Sequence, residues 1–191
     1  YSVDVSNYED ILKVKNKLLR ENSLPHIIIN NAAGNFLCPF EKLTPNGWNT
    51  INNIVLNGAF NIYHIFGKTF IEKKREAIFL NISTTYSENS SALVIPSAAA
   101  KAGVDNIMKG LTVEWSKYGM RFVGIAPGPI ATDRLKSLVS DMKSLEDRLP
   151  MKRIGSVEEL SRFIRAIVEN DIKYLTGVTI NFDGGHSTYV L

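Results

Sequence analysis

The sequence contains a single cysteine, Cys38, among its 191 residues. A single thiol excludes an intrachain disulfide, and so little cysteine is typical of proteins in a reducing compartment. No basic residue adjoins Cys38 to favour a reactive thiolate. We therefore interpret this thiol as an inert packing group.

Long apolar runs and clusters of one charge are also missing. No apolar segment approaches the length of about 20 residues that a helix needs to cross a bilayer, so we expect no membrane span. The 22 basic and 19 acidic residues leave a net charge of +3 without any basic run, which argues against nucleic acid as a partner. The three histidines, His26, His64 and His186, lack metal-ligand spacing.

A glycine-rich turn of the form G-x-G-x-x-G is absent as well, although the chain has 13 glycines. In α/β nucleotide-binding folds that turn follows the first strand and holds the pyrophosphate of a dinucleotide. The composition is otherwise that of an ordinary globular domain, with 45% apolar and 21% charged residues. No linker-like or repetitive segment divides the chain, so we draw no domain boundary.

Four short apolar runs predict four β-strands. Each run is continuously apolar, which is typical of strands covered on both faces in a parallel sheet. Helical patterns separate the runs, and this alternation predicts a doubly wound α/β sheet with right-handed crossovers. The runs span residues 25–32, 76–83, 120–127 and 177–185.

The helical patterns carry recognisable start signals. Thr44 and Pro45 predict the N-cap and first residue of a helix, and Asn57-Gly58 predicts a kink within it. Ser156 and Glu159 have capping-box spacing. The first helix is expected to start at a Ser or Asn cap and to bury a stripe of Ile11, Val14, Leu18 and Leu19. The predicted helices span residues 6–22, 44–74, 97–118 and 156–170.

Polar residues follow the apolar runs at the points where strands should end. In open α/β sheets, ligands bind beyond the carboxyl ends of the strands. The first run is followed by residues 30–36, the second by residues 83–86, and the third by the rigid Pro-Gly-Pro turn of 127–132. These three segments are the candidate site.

The motifs in these segments resemble a known family. The stretches "NNAAG" (30–34), "NIST" (81–84), "S-x-x-x-K" (97–101) and "PGPIAT" (127–132), with Asn57, resemble the short-chain dehydrogenase/reductases. More closely, "NNAAGNF" together with "STTY" ahead of "PSAAAKAG" is similar to the 2,4-dienoyl-CoA reductases. The resemblance covers nearly the whole chain and implies a Rossmann-type doubly wound parallel sheet.

The resemblance places Ser97 where the family carries a proton-donating Tyr, four residues before Lys101. A serine alkoxide is far more basic than a phenolate, so Ser97 cannot replace that Tyr as a proton donor. We expect Ser97 to donate or accept a hydrogen bond, whereas a small helix-start residue is the alternative. Lys101 resembles the family's Lys that holds the nicotinamide ribose hydroxyls.

Tyr86 and Asn35 are the candidates for the hydrogen-bond donors that would replace the family's Tyr. The resemblance implies NADPH-dependent reduction of 2,4-dienoyl-CoA to 3-enoyl-CoA in the β-oxidation of unsaturated fatty acids. Hydride reaches the distal carbon of the diene, and the negative charge on the thioester oxygen needs donors aimed at it. Tyr86 and Asn35 are expected to supply them. The alternative for Tyr86 is a packed aromatic ring whose hydroxyl faces solvent. The alternative for Asn35 is a turn residue without a role in binding.

The remaining site residues follow from the resemblance alone. Asp4 corresponds to the family's adenine-binding Asp, although an Asp there is also a common helix cap, and Ser6 stands where the family tends to carry Arg. Arg134 corresponds to a phosphate-facing Arg. The implied NADP(H)-binding residues are Asp4, Asn31, Ala32, Thr84, Lys101, Pro127, Gly128, Pro129 and Ile130, and the implied acyl-CoA contacts are Phe36, Thr44 and Arg134.

The family's pattern begins with a β-α-β unit that carries the Gly-rich turn. The chain is therefore expected to be a partial domain, a fragment of a longer chain that lacks this unit. The resemblance also implies a homotetramer, and Tyr86 resembles the mitochondrial more than the peroxisomal branch. Two alternatives stay open: another short-chain carbonyl or acyl reductase, and a non-catalytic remnant that keeps only the oligomer surface formed by helices 44–74 and 97–118.

Overall fold

Four parallel strands form the centre of the protein in a computed structural model that describes residues 1–170 and 172–188. The strands are β1 (Ile27–Asn30), β2 (Ala77–Ile82), β3 (Met120–Pro127) and β4 (Val178–Phe182). They lie in the order β1-β2-β3-β4, and every neighbouring pair is parallel. Helices cover both faces of the sheet, which confirms the predicted α/β fold class.

The central strands and the outer strands differ in burial. All of β2 except Ile82 is buried, and β3 is buried except at Arg121 and Pro127. In contrast, Ile29 of β1 is 48% exposed and Val178 of β4 is 37% exposed. Two-sided burial was therefore a correct expectation for β2 and β3 and a wrong one for β1 and β4. The physical reason is that β1 and β4 each pair with only one described strand and lie at the sheet edges.

Eight helices accompany the strands in the described part of the chain. The caps at Thr44 and Ser156 are confirmed: Thr44 Oγ1 accepts from the Gly47 amide, and Ser156 and Glu159 form a reciprocal capping box. Asn7 is the cap of the first helix. The helices are α1 (Tyr8–Arg20), α2 (Pro45–Asn52), α3 (Gly58–Lys73), α4 (Tyr86–Asn89), α5 (Ile95–Trp115), α6 (Asp133–Leu138), α7 (Met142–Arg148) and α8 (Val157–Glu169).

The expected break in the long second helix is present as a π-helical turn. This turn, Asn53–Asn57, separates α2 from α3, so 44–74 is two helices joined by a wider turn. The side-chain amide of Asn57 (Nδ2) donates to Asn53 Oδ1 at 2.8 Å. A Cβ on Gly58 would lie 2.8 Å from Val5 Cγ2, which explains why a glycine follows the turn. Turns of this kind are frequent at functional sites.

Aromatic rings fill the core between the sheet and helices α1, α3 and α5. Phe79 of β2 and Phe122 of β3 stack with their centroids 5.1 Å apart, and Tyr63 of α3 meets both rings edge-on. Ile11 of α1 is buried in this cluster. Leu12, Leu18 and Leu19 are half-buried and pack against it, and Val14 of the predicted stripe is half-buried as well.

Helix α8 covers the opposite face of the sheet. Ile167 of α8 packs with Leu80 and Val123, whose side chains point away from Phe79 and Phe122. The strand order advances in one direction throughout, yet α8 lies on the other face from α3 and α5. The β3–β4 crossover therefore has the opposite hand to the two before it. The expectation of uniformly right-handed crossovers is wrong for this unit.

Within the described residues, none of the helices has the length and apolar character required to cross a membrane.

Candidate functional site

The candidate site lies at the carboxyl edge of the sheet, where Asn30 ends β1 and pairs with Asn81 near the end of β2. Asn30 and Asn81 are register partners, and Asn30 Nδ2 donates to Asn81 Oδ1 at 3.0 Å. Both residues are buried. The loop after β1 and the segment after β2 begin just beyond this pair of side chains. Asn31 is exposed at the start of the first loop, and Ala32 is half-buried beside it.

The loop after β1 is tied to two other segments of the site. The Cys38 amide donates to Leu93 O at 2.9 Å, which joins the loop to the segment before α5. Arg134 Nη2 donates to Asn35 O at 2.8 Å, which joins it to α6. The structure thus brings together two residues predicted for the site, Asn35 and Arg134. Arginine has five N–H donors, so this contact leaves others free for an anion.

Ser97 and Lys101 lie one turn apart on the buried face of α5. Ser97 is 3% exposed and Lys101 is 5% exposed. Lys101 Nζ donates to Ile82 O at the end of β2, which fixes the ammonium at the carboxyl edge. Burial lowers the pKa of Lys101 to about 8, and the nearby Asp105 carboxylate opposes that shift. Lys101 is therefore mainly protonated at neutral pH and close to its titration point.

Four side chains predicted for the site keep free hydrogen-bonding groups. Among residues 1–170 and 172–188, the hydroxyls of Tyr86, Ser97 and Thr84 and the side-chain amide of Asn35 have no partner. Tyr86 is half-buried as the first residue of α4. Polar groups without a protein partner bind water or a ligand, so these four are available to a ligand.

The Pro-Gly-Pro turn after β3 forms a rigid wall of the site. The Gly128 amide donates to Phe182 O at 3.0 Å, and the Gly155 amide donates to Pro129 O at 3.0 Å. A Cβ on Gly128 would lie 2.7 Å from Asp183 Cβ, so this position requires glycine. Ile130 pairs with Gly155 as an isolated bridge. The turn is thereby fixed on two sides, as a planar ligand would require.

The predicted adenine contact, Asp4, forms a local turn ahead of α1. Its carboxylate accepts from the Ser6 hydroxyl at 2.8 Å and from the Ser6 amide at 2.9 Å. Both bonds lower the pKa of Asp4, and the bond from the Ser6 hydroxyl has the larger effect. The cap of α1 is Asn7 and not Asp4. Asp4 is exposed, so its binding role stays a prediction.

Two of the predicted acyl-CoA contacts lie together at the start of α2. They are Phe36 and Thr44, and both lie near Gly47. Thr44 Oγ1 is engaged as the helix cap, and Phe36 Cζ lies 3.0 Å from the Cβ position of Gly47. Phe36 is 40% exposed. An exposed aromatic beside the site is compatible with an apolar ligand, although the hydroxyl of Thr44 already has a structural role.

Sequence reasoning missed Asp105. This residue is 8% exposed on α5, and its Oδ2 accepts from Ser83 Oγ at 2.7 Å and Ser87 Oγ at 2.8 Å. The signal that could have found it is its position four residues after Lys101, on the same helix face.

The residues present fit one half of a nicotinamide dinucleotide. The Lys101 ammonium is suited to donate to ribose hydroxyls. The free hydroxyls of Ser97 and Thr84 are suited to hydrogen-bond a carboxamide that lies beside the Pro-Gly-Pro turn. Residues suited to a pyrophosphate are missing, because the chain has no Gly-rich turn. The described residues also contain no group of three or more His, Cys, Asp or Glu that could hold a metal ion.

Comparison with known proteins gives consistent results. The pattern of the family described as enoyl-(acyl carrier protein) reductase matches residues 1–187. A probable 2,4-dienoyl-CoA reductase of Bacillus subtilis (strain 168) is 42% identical over 163 residues, which are 83% of this chain and 64% of the relative. The peroxisomal 2,4-dienoyl-CoA reductase of Pongo abelii is 32% identical over 188 residues, 96% of this chain and 64% of the relative.

A solved structure of a short chain dehydrogenase from Bacillus anthracis is 39% identical and superposes with a TM-score of 0.91, covering 100% of this chain and 76% of that one. The chain spans just under two thirds of the length of the two curated relatives. The family match over residues 1–187 and the solved structure agree with the parallel sheet flanked by helices. The chain belongs to the short-chain dehydrogenase/reductase family.

Proposed function

We propose that this chain carries the catalytic residues of an NADPH-dependent 2,4-dienoyl-CoA reductase that forms 3-enoyl-CoA during the β-oxidation of unsaturated fatty acids. The observation that carries the proposal is a pair of donors without a partner among the described residues, the Tyr86 hydroxyl at the start of α4 and the Asn35 side-chain amide in the loop after β1, each beyond the end of one of two neighbouring strands. The names of the relatives from B. subtilis and P. abelii support the substrate class. The choice of NADPH rests on the resemblance.

The proposed role of Tyr86 and Asn35 is to stabilise negative charge on the substrate. When bound, the dihydronicotinamide supplies a hydride for the distal carbon of the diene. Charge then develops on the thioester oxygen, where the Tyr86 O–H and an Asn35 N–H donate hydrogen bonds. A proton added at the carbon next to the thioester gives the 3-enoyl product. A proton added two carbons further along would give the 2-enoyl product.

Lys101 and Ser97 have supporting roles in this proposal. The Lys101 ammonium holds the ribose hydroxyls of the cofactor, and Ser97 and Thr84 orient its carboxamide end through their free hydroxyls. Ser97 cannot replace the phenol that a carbonyl reductase needs as its proton donor. This difference favours the dienoyl-CoA reductase over the alternative of another short-chain carbonyl or acyl reductase.

We also propose that residues 1–191 are part of a longer domain and act as a homotetramer in mitochondria. The uncovered edge of β1 and the span of the chain against its relatives support the longer domain. Phe60 on α3 and Val113 on α5 are 49% and 85% exposed, which supports an oligomer surface on these helices. Relatives named peroxisomal make a peroxisome the alternative location.

The test is a Tyr86→Phe substitution in this longer protein, assayed by NADPH oxidation with a 2,4-dienoyl-CoA. Loss of one oxyanion donor typically lowers kcat by about 10²- to 10³-fold, and we expect a fall of that order. Tyr118→Phe is the matched control, because Tyr118 is a surface tyrosine outside the site, 43% exposed.

Three results would contradict the proposal. The first is a Tyr86→Phe protein that turns over dienoyl-CoA as fast as its parent. The second is turnover of 3-oxoacyl-CoA without any of dienoyl-CoA, which would favour a carbonyl reductase. The third is a tetramer that neither binds NADPH nor turns over either substrate, which would favour a non-catalytic remnant. Product analysis separates 3-enoyl-CoA from 2-enoyl-CoA.

A further inference from the structure

A buried carboxylate lies one turn of α5 beyond Lys101. Asp105 is 8% exposed, and its Oδ2 accepts from Ser83 Oγ at 2.7 Å and from Ser87 Oγ at 2.8 Å. The other oxygen, Oδ1, is buried without a hydrogen-bond partner among the described residues. Two hydroxyl donors reduce the cost of burying a carboxylate but do not neutralise its charge. A buried charge of this kind calls for a cation nearby.

Lys101, buried on the same face of α5, is the cation whose charge the Asp105 carboxylate favours, although the two side chains do not form a direct ion pair. It lies four residues before Asp105 on the same face of α5, and burial lowers its pKa to about 8 while the Asp105 charge opposes the shift. The helix α2, the π turn and strand β2 contribute no ionisable side chain around this pair. The other ionisable groups on elements packed close to this part of α5 are the buried Tyr63 on α3, Tyr86 and the exposed Glu88 on α4, and Arg121 at the amino end of β3.

The same carboxylate also holds α4. This helix has only four residues, Tyr86–Asn89, and so has little rigidity of its own. Ser87 is its second residue, and the bond from Ser87 Oγ to Asp105 joins α4 to α5. Because Ser87 directly follows Tyr86, this bond constrains the backbone that carries the Tyr86 phenol.

We propose that Asp105 is a positioning residue that couples the two halves of the site, keeping Lys101 charged on the cofactor side and fixing Tyr86 on the substrate side. The role at Tyr86 rests on the proposed function, whereas the role at Lys101 does not. Asp105 acts through other side chains, so its substitution should alter the properties of Lys101 and Tyr86 without removing either group.

The first test is Asp105→Asn, which keeps the shape and an acceptor oxygen but removes the charge. The pKa of Lys101 is followed by NMR of its ε-methylene group, with the signal assigned by Lys101→Arg. We expect this pKa to fall below the value of about 8 in the parent, because the negative charge that favours the ammonium is gone. Asp105→Glu should restore it in part. Asp133→Asn, at an exposed aspartate on α6, is the control and should leave it unchanged.

An unchanged Lys101 pKa in Asp105→Asn would overturn the proposal without touching the proposed function, since this readout needs no turnover. Conversely, a lowered pKa in a protein that never reduces a dienoyl-CoA would support the role at Lys101 and contradict the proposed function.

The second test is Ser87→Ala, which keeps both charges and removes the tie to α4. We expect a lower kcat for the dienoyl substrate, an unchanged NADPH affinity and little change in the Lys101 pKa. Ser161→Ala, on the exposed face of α8, is the matched control. A Ser87→Ala protein with the parent's kcat would overturn the role at Tyr86.

Discussion

Lys101 is an ionisable residue that is deeply buried. The residue is 5% exposed, and its ammonium donates to Ile82 O at the end of β2. Burial disfavours the charged form, so the folded state binds the Lys101 proton less tightly than the unfolded state does. This single residue therefore makes the stability of the molecule depend on pH in the alkaline range.

The free energy of unfolding should show this dependence. The Lys101 pKa is about 8 in the folded state against an ordinary value of 10.5. Below pH 8 both states hold the proton and the full cost of burial is present, and the cost disappears as pH rises toward 10.5. We expect the difference in free energy of unfolding between the parent and Lys101→Met to change by on the order of 3 kcal/mol across this window.

Urea unfolding at a series of pH values measures this difference, with Lys109→Met as the exposed control on the same helix. A parent whose stability relative to Lys101→Met stays constant from pH 8 to 10.5 would contradict the prediction.

Individual residues were predictable where their role is local or carried by a motif. Ser97 and Lys101 were singled out by the family resemblance of their four-residue spacing, and the structure places them one turn apart on the buried face of α5. Asp105 was missed because an aspartate within a helix usually faces water. Its burial depends on hydroxyls from two other elements, Ser83 and Ser87, and sequence spacing does not show that these meet.

Helices α3 and α5 approach each other closely because one of them lacks a side chain at the contact. A Cβ on Gly67 of α3 would lie 2.1 Å from Trp115 Cζ3 of α5. The indole also packs near Phe122, with the ring centroids 6.2 Å apart. Gly67 thus sets the separation of the two helices that cover the aromatic core.

Two glycine-to-alanine substitutions separate packing from helix propensity. Gly67→Ala should destabilise the protein by about 1–3 kcal/mol, because the added methyl overpacks a filled contact. Gly110→Ala on α5 meets nothing within 4 Å, and it should stabilise by about 0.5–1 kcal/mol through helix propensity. Denaturant midpoints measure both. Equal changes of the same sign would show that the Trp115 contact does not limit the packing.

At the scale of elements, local signals predicted the helix caps better than the burial of the strands. The caps at Thr44 and Ser156 follow from short-range hydrogen bonds, so four residues of sequence suffice to identify them. The partial exposure of β1 and β4 was missed, because an apolar run looks the same at the edge and at the centre of a sheet. The position of a strand in the sheet is a long-range property.

The molecule as a whole has a site suited to one end of a dinucleotide. Lys101 and the Pro-Gly-Pro turn lie at the carboxyl edge of the sheet, where we propose that the nicotinamide end binds, while the sequence provides no glycine-rich turn for the pyrophosphate. Cofactor affinity is therefore expected to depend on residues outside the 191.

We expect residues 1–191 by themselves to bind NADPH weakly, with a dissociation constant well above the micromolar range. The pyrophosphate would stay solvated instead of binding to backbone amides at a helix start. Isothermal titration of the folded chain with NADPH is the measurement, and the longer protein is the control. Micromolar binding by a folded monomer of this chain would refute the expectation and the proposal of a missing unit.

The fold class and parallel sheet were predictable for the whole molecule, because alternating apolar runs and helices allow few other arrangements. The face on which α8 packs was not. A right-handed crossover is the general preference, and the connection from β3 to β4 departs from it because α8 covers Leu80 and Val123 on the second face. Such a choice depends on which apolar surface remains open once α3 and α5 are in place.

The contact between Trp115 and Gly67 also gives the molecule a built-in optical reporter. Of the two tryptophans, Trp115 extends from α5 onto Gly67 of α3, whereas Trp48 on α2 is 36% exposed. The emission spectrum of a Trp48→Phe protein would therefore follow the parting of these two helices alone. During unfolding, a red shift of this emission would report when solvent reaches the aromatic core. The signal would not depend on changes in the loop that carries Phe36.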